Sequence, residues 1–139
     1  MLPGLVLDAS VAVASVLESD ARRAEAVHLL RIVNQRMAIV PAVWPFEVSH
    51  ALMKRVQQRA LTASEADRAL RRLFTLPITV AGESRDSILS AAWPLALRHR
   101  ISLYDASYVA LALQTGLPLA TFDRPMRGVA EAERILLLD

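Results

Sequence analysis

The chain contains no cysteine. Disulfides and thiolate metal sites are thereby excluded, and a reducing cytosol suits it. Only four glycines are spread over 139 residues, so there is no glycine-rich phosphate loop. Serine-based nucleophilic catalysis lacks its Gly-x-Ser-x-Gly elbow. Aromatic residues make up 5% of the chain. Trp44, Trp93, Tyr104 and Tyr108 are too scattered for a base-stacking platform and read as core or interface packing. Lysine is nearly missing: Lys54 stands alone among sixteen basic residues, the rest being arginine. The longest uncharged run, Ala106 to Phe122, is broken by Gly116 and Pro118 and does not read as a membrane span. Met1-Leu2-Pro3-Gly4 lacks the basic start of a secretory signal. A cytoplasmic protein with no membrane association is expected.

What is present describes a globular domain. The chain is 54% hydrophobic and 22% charged, which places it outside the disordered class. Its length suits one domain over 1–139 with a sizeable core. A mean hydropathy of +0.33 suggests apolar surface covered by a partner or a second copy.

Strand-like and helix-like runs alternate. Leu5–Leu7 reads as a strand, followed by a short helix over Ala9–Leu17 with Asp8 as a possible N-cap. Asp20 can cap a helix over Ala21–Gln35, whose Ala24, Val27, Leu30 and Val33 recur every three residues. Met37–Val40 is a second strand. Pro45 opens a third helix, running to about Arg59. Thr62-Ala63-Ser64-Glu65 resembles a capping box before a helix ending near Phe74. Pro77–Val80 is a third strand. Ser84–Arg100 is helical, with Pro94 set to kink or divide it. Asp105–Thr115 is a helix stopped at Gly116. Leu117–Phe122 and Ile135–Leu138 complete five strands. This order predicts an α/β fold around a mainly parallel sheet.

Four acids occupy telling positions in that order. Asp8 and Asp123 end strands one and four, and Glu47 and Asp105 lie in the first turns of helices. If strands one and four adjoin at the switch point of the sheet, the first two acids share the crevice where such folds bind ligands. Taken singly, Asp8, Asp105 and Asp123 also read as caps, and Glu47 as a residue favoured by the helix dipole. Taken together they pose an electrostatic problem, because carboxylates gathered near an apolar core need a cation. A hard divalent ion, Mg²⁺ or Mn²⁺, is the natural partner for such oxygen ligands. An ion so held can activate water for phosphodiester hydrolysis. Ser10 and Thr121 can orient ligands or waters, and Arg124 and Arg127 can contact substrate phosphates. With four acids at one site, the remaining surface sets ten acids against sixteen bases, which suits a polyanion. The Glu47-x-x-His50 spacing of a di-iron bundle has no second copy, and His28 and His99 are isolated.

Four segments carry a family resemblance: Val6-Leu7-Asp8-Ala9-Ser10, Pro45-Phe46-Glu47-Val48, Leu103-Tyr104-Asp105-Ala106-Ser107-Tyr108-Val109-Ala110-Leu111-Ala112, and Leu119-Ala120-Thr121-Phe122-Asp123-Arg124. In this order and spacing the chain resembles PIN-domain ribonucleases, and more closely the VapC-type toxins of toxin–antitoxin pairs. The resemblance implies a three-layer α/β/α PIN-like domain and Mg²⁺- or Mn²⁺-dependent cleavage of RNA leaving 5′-phosphate and 3′-hydroxyl ends. It implies that Asp8, Glu47, Asp105 and Asp123 are catalytic and metal-binding, supported by Ser10 and Thr121. It also implies homodimers and inhibition by a small VapB-like antitoxin whose tail occludes the site. Relatives often carry a further basic residue after the Asp-Arg pair, where this chain has Pro125. Two alternatives use the same acids: a Mg²⁺-binding receiver-like phosphoacceptor module, and a non-catalytic interaction domain. A receiver would place a lysine near a late strand end, whereas Lys54 falls mid-helix.

Overall fold

A computed structural model describes residues 2–139. Four strands form one sheet: β1 (Leu5–Leu7), β2 (Ala38–Val40), β3 (Ile78–Val80) and β4 (Leu119–Ala120). Their spatial order is β3-β2-β1-β4, and every pairing is parallel. β1 is wholly buried, as its uninterrupted Leu-Val-Leu run requires in a sheet covered on both faces. Eight helices flank the sheet in the expected α/β arrangement: α1 (Ala9–Val16), α2 (Arg23–Arg36), α3 (Trp44–Gln57), α4 (Ala63–Leu73), α5 (Arg85–Ser87), α6 (Trp93–His99), α7 (Leu103–Thr115) and α8 (Arg124–Ala132). α7 packs directly on β1 and β4. Its centre is buried without a break over seven residues, Ala106 to Ala112.

The local signals explain most boundaries. Pro45 sits in the first turn of α3. The Thr62–Glu65 capping box forms in full, with both reciprocal bonds to backbone amides present. Gly116 ends α7 at φ 69°, a left-handed conformation that costs glycine nothing. Pro94 does divide its helix, through a π turn over Ile88–Ala92 closed by the Trp93 amide on the Ile88 carbonyl. The wider turn makes room for a ring that would crowd a regular turn and has no N–H to donate.

Several expectations are corrected. α7 starts at Leu103, because the Ser102 hydroxyl, accepting the Asp105 amide at 3.0 Å, is the cap. Asp20 binds the Arg22 amide in the turn before α2, which begins only at Arg23. The fifth strand reduces to one bridge between Leu119 and Leu137. α8 was not expected at all. Pro125 and Gly128 obscure its periodicity, yet Pro125 occupies the first turn, where its missing N–H costs nothing.

His99, isolated in sequence, is not isolated in space. Its Nε2 lies 2.7 Å from Glu133, which also accepts from Arg98 at 2.6 Å, so the end of α6 is tied to the end of α8. The bonds from His99 and Arg98 hold the Glu133 carboxyl below the usual range. A depressed folded-state pKa contributes stability above the unfolded pKa, and that contribution is lost as pH falls through the folded value. Glu133→Gln should therefore lower the thermal midpoint at pH 7 and make no difference in acid below that value, as followed by circular dichroism.

Candidate active site

The site is built where β1 and β4 end side by side. The Asp8 amide donates to the Ala120 carbonyl at 2.9 Å, so the residues leaving both strands are held in register. Asp8 is 5% exposed. It stands at the N-cap position of α1 but makes no side-chain cap bond. Its Oδ2 instead accepts from the Ser10 hydroxyl and the Thr121 hydroxyl, each at 2.6 Å. Those hydroxyls are themselves oriented: Ser10 Oγ accepts the Phe122 amide and Thr121 Oγ1 the Asp123 amide, both at 3.0 Å. Backbone donors of the β4 exit thus fix the hydroxyls, which fix one oxygen of Asp8.

The other acids arrive from separate elements. Asp123 caps α8, its Oδ1 accepting the Met126 amide at 2.8 Å. Glu47, in the first turn of α3, accepts at Oε1 from the Tyr108 hydroxyl at 2.6 Å. Asp105 is held in the first turn of α7 through its backbone, and the Ser102 hydroxyl also bears on its half-buried carboxyl, favouring the charged form.

The four acids share one electrostatic field. Burial raises the Asp8 pKa and the charge of Asp123 adds to it, against the lowering bonds from Ser10 and Thr121. Burial raises Glu47, with Asp8 and Asp105 contributing further. Burial also raises Asp105, followed by the charges of Asp123 and Asp8. Burial, then the Asp8 charge, drives the Tyr108 phenol far above its ordinary value, so it remains a neutral donor. Among the described residues, the ion pairs involve none of these four acids. As the side chains lie, no three Asp, Glu or His residues there stand close enough together to hold a metal ion. The donor set is nonetheless all hard oxygen with uncompensated negative charge, and this fits a small divalent cation.

Raised folded-state pKa values make ionisation of Asp8, Glu47 and Asp105 a cost to folding. For Asp105 that cost is absent below its unfolded pKa and full above its raised folded value. Asp105→Asn should therefore raise the thermal midpoint at neutral pH without divalent ions. Calorimetry across pH should show the gain shrinking as Asp105 in the parent becomes protonated.

The basic residues sort differently from expectation. Arg124 is exposed at the start of α8, next to Asp123. Arg127 lies one turn further on and points back into the fold, donating to the Thr121 carbonyl at 3.0 Å and to Asp139 at 2.8 Å. Its guanidinium braces the β4 exit. Two residues make contacts that the sequence does not signal. Arg22 lies 3.7 Å from the centroid of the Phe122 ring and pairs with Glu25; nothing local in the chain signals that contact. Tyr108 was read as packing, although it lies one helical turn from Asp105, on the same face of α7.

A parallel α/β domain with acids at the β1–β4 edge defines a class, and a family model described as PIN domain matches residues 5–132. Ribonuclease VapC3 of Pyrobaculum aerophilum is 32% identical over 122 residues, covering 88% of this chain and 91% of its own. Ribonuclease VapC3 of Mycobacterium tuberculosis is 38% identical over 119 residues, covering 86% and 82%. The chain therefore belongs to the PIN-domain family, among its VapC-type ribonucleases. The fold agrees with the crystal structure of Mycobacterium tuberculosis VapC20, described as a Sarcin-Ricin loop cleaving toxin. That match has a TM-score of 0.70 at 20% identity, over 90% of this chain and 94% of the other.

Proposed function

We infer that this chain is the toxin of a VapBC-type pair, an endoribonuclease in which Asp8, Glu47, Asp105 and Asp123 hold Mg²⁺ or Mn²⁺ and carry the reaction. The observation that carries the reading is the uncompensated acid set at the β1–β4 edge of an otherwise basic chain. When bound, such an ion supplies charge stabilisation for in-line displacement at phosphorus and acidifies water. The chain's own residues do the positioning. Ser10 and Thr121 lock Asp8 through its Oδ2. Met126 fixes Asp123, and Arg124 offers a guanidinium to an adjoining phosphate. The products would carry 5′-phosphate and 3′-hydroxyl ends. An RNA substrate puts the protein to work in the cytoplasm, and no helix among the described residues is long and apolar enough to cross a membrane.

Two surfaces suit partners. A cleft of about 560 Å³ between the α1–α2 turn, α3 and α4 is lined by Val16, Leu17 and Leu61 and by Arg23, Arg68 and Arg72. The lining is mixed, with Glu18 and Glu65 beside the arginines, and fits an antitoxin segment that combines hydrophobic and polar side chains. Leu89, Trp93 and Leu97, spaced four apart along the π turn and α6, are 68%, 49% and 63% exposed, a stripe that suits a second copy of the chain. The receiver-like reading is not favoured: Lys54 lies in the last turn of α3, away from any strand end. The test incubates purified, antitoxin-free protein with total RNA, with and without Mg²⁺ or Mn²⁺, beside Asp8→Asn, and maps the cut ends. Cleavage without added metal, or undiminished in the variant, would refute the reading.

A further inference from the structure

We propose that Tyr108 is a positioning residue for Glu47: its hydroxyl takes up Oε1 and leaves Glu47 a single oxygen for a cation. The inference rests on the metal-site reading above. Tyr108 is fully buried, and a phenylalanine would fill the same space. The hydroxyl adds one thing, a 2.6 Å bond to Glu47 across 61 residues of sequence. A buried phenol needs an acceptor, and here the acceptor is an acid of the site.

The same arrangement recurs around the site, on unrelated elements. At Asp8 both hydroxyls converge on Oδ2. At Asp123 the Met126 amide takes Oδ1, leaving Oδ2. At Glu47 the Tyr108 phenol takes Oε1, leaving Oε2. Three acids therefore each have one oxygen pinned by a donor that also fixes the side-chain rotamer, and at Asp8 the Ala9 amide adds a further backbone bond. Single oxygens at fixed positions suit a small octahedral ion. Ca²⁺ prefers more oxygens and accepts carboxylates through both at once. By occupying Oε1, Tyr108 removes that second mode from the acid contributed by α3. This gives Tyr108 two effects that simple packing would not have: tighter Mn²⁺ binding and discrimination against Ca²⁺.

The test uses the full, antitoxin-free chain and Mn²⁺ itself as probe, followed by calorimetry and by Mn²⁺ paramagnetic resonance, with a parallel Ca²⁺ titration. Tyr108→Phe should raise the Mn²⁺ Kd by about 10–100-fold, the range typical of lost outer partners, and narrow the preference over Ca²⁺. Its metal-free thermal midpoint should stay near the parent's, and Tyr104→Phe, an exposed tyrosine nearby, should bind as the parent does. In the Glu47→Gln background, Tyr108→Phe should add nothing, since the phenol acts through the carboxylate. Additive losses there, or an Mn²⁺ Kd for Tyr108→Phe within about twofold of the parent while Asp8→Asn binds none, would overturn the role of Tyr108 alone. A parent that binds Mn²⁺ no better than Asp8→Asn would overturn the metal site and this inference with it.

Discussion

Asp8→Asn should reduce metal-dependent RNA cleavage by about three orders of magnitude, since several kcal/mol of charge stabilisation at about 1.4 kcal/mol per decade is at stake. The substitution isolates the chemistry because of how Asp8 is held. Both hydroxyl donors converge on Oδ2, and the asparagine carbonyl oxygen can take that place and keep both bonds. The amide then occupies the Oδ1 position, where a donor has replaced an acceptor. The variant should remain folded, and with one buried charge fewer it should melt no lower than the parent in the absence of divalent ions. Product formation on a mapped RNA site under single-turnover conditions measures the loss. A variant retaining more than about a tenth of parental activity would be incompatible with several kcal/mol passing through Asp8.

Leu5→Ala should have the largest effect on stability. Leu5 is fully buried at the start of the central strand, paired in register with Ala38. Removing its side chain leaves a cavity between layers that cannot close without moving β1, and such truncations cost about 2–5 kcal/mol. Urea denaturation should show a lower midpoint at an unchanged slope. The loss should appear equally in an Asp8→Asn background, because the two sites share no partner.

The parts of this molecule legible in its sequence are those set by local chemistry. The Leu5–Leu7 run ending in Asp8 marks a buried strand and its exit, Thr62 and Glu65 mark a helix start, and Gly116 marks a helix stop. The sequence offers the side-by-side placement of β1 and β4 only as a condition, and the strand order supplies it. What escaped depends on contacts across the chain. α8 hides because its two breakers, Pro125 and Gly128, sit where a helix tolerates them, one in its first turn and one on its exposed side. The Ser102 cap shifts α7 by two residues relative to the apolar pattern. Arg127 turns inward because Thr121 and Asp139 both lie within its reach, and Asp139 is the last residue of the chain. The pairing of Tyr108 with Glu47 joins α7 to α3, and no spacing in a single sequence predicts it.

The bond from Thr121 to Asp8 spans 113 positions, and this has a consequence for synthesis. Asp8 and Glu47 are synthesised well before β4, Thr121 and Asp123. Until then Asp8 lacks one of its two hydroxyl partners and the sheet edge that aligns it, because β4 pairs directly with β1. Contacts between distant segments form late in folding. A chain cut before Leu119 would lack Thr121, Asp123 and the strand that receives the Asp8 amide, and should leave the four acids unassembled.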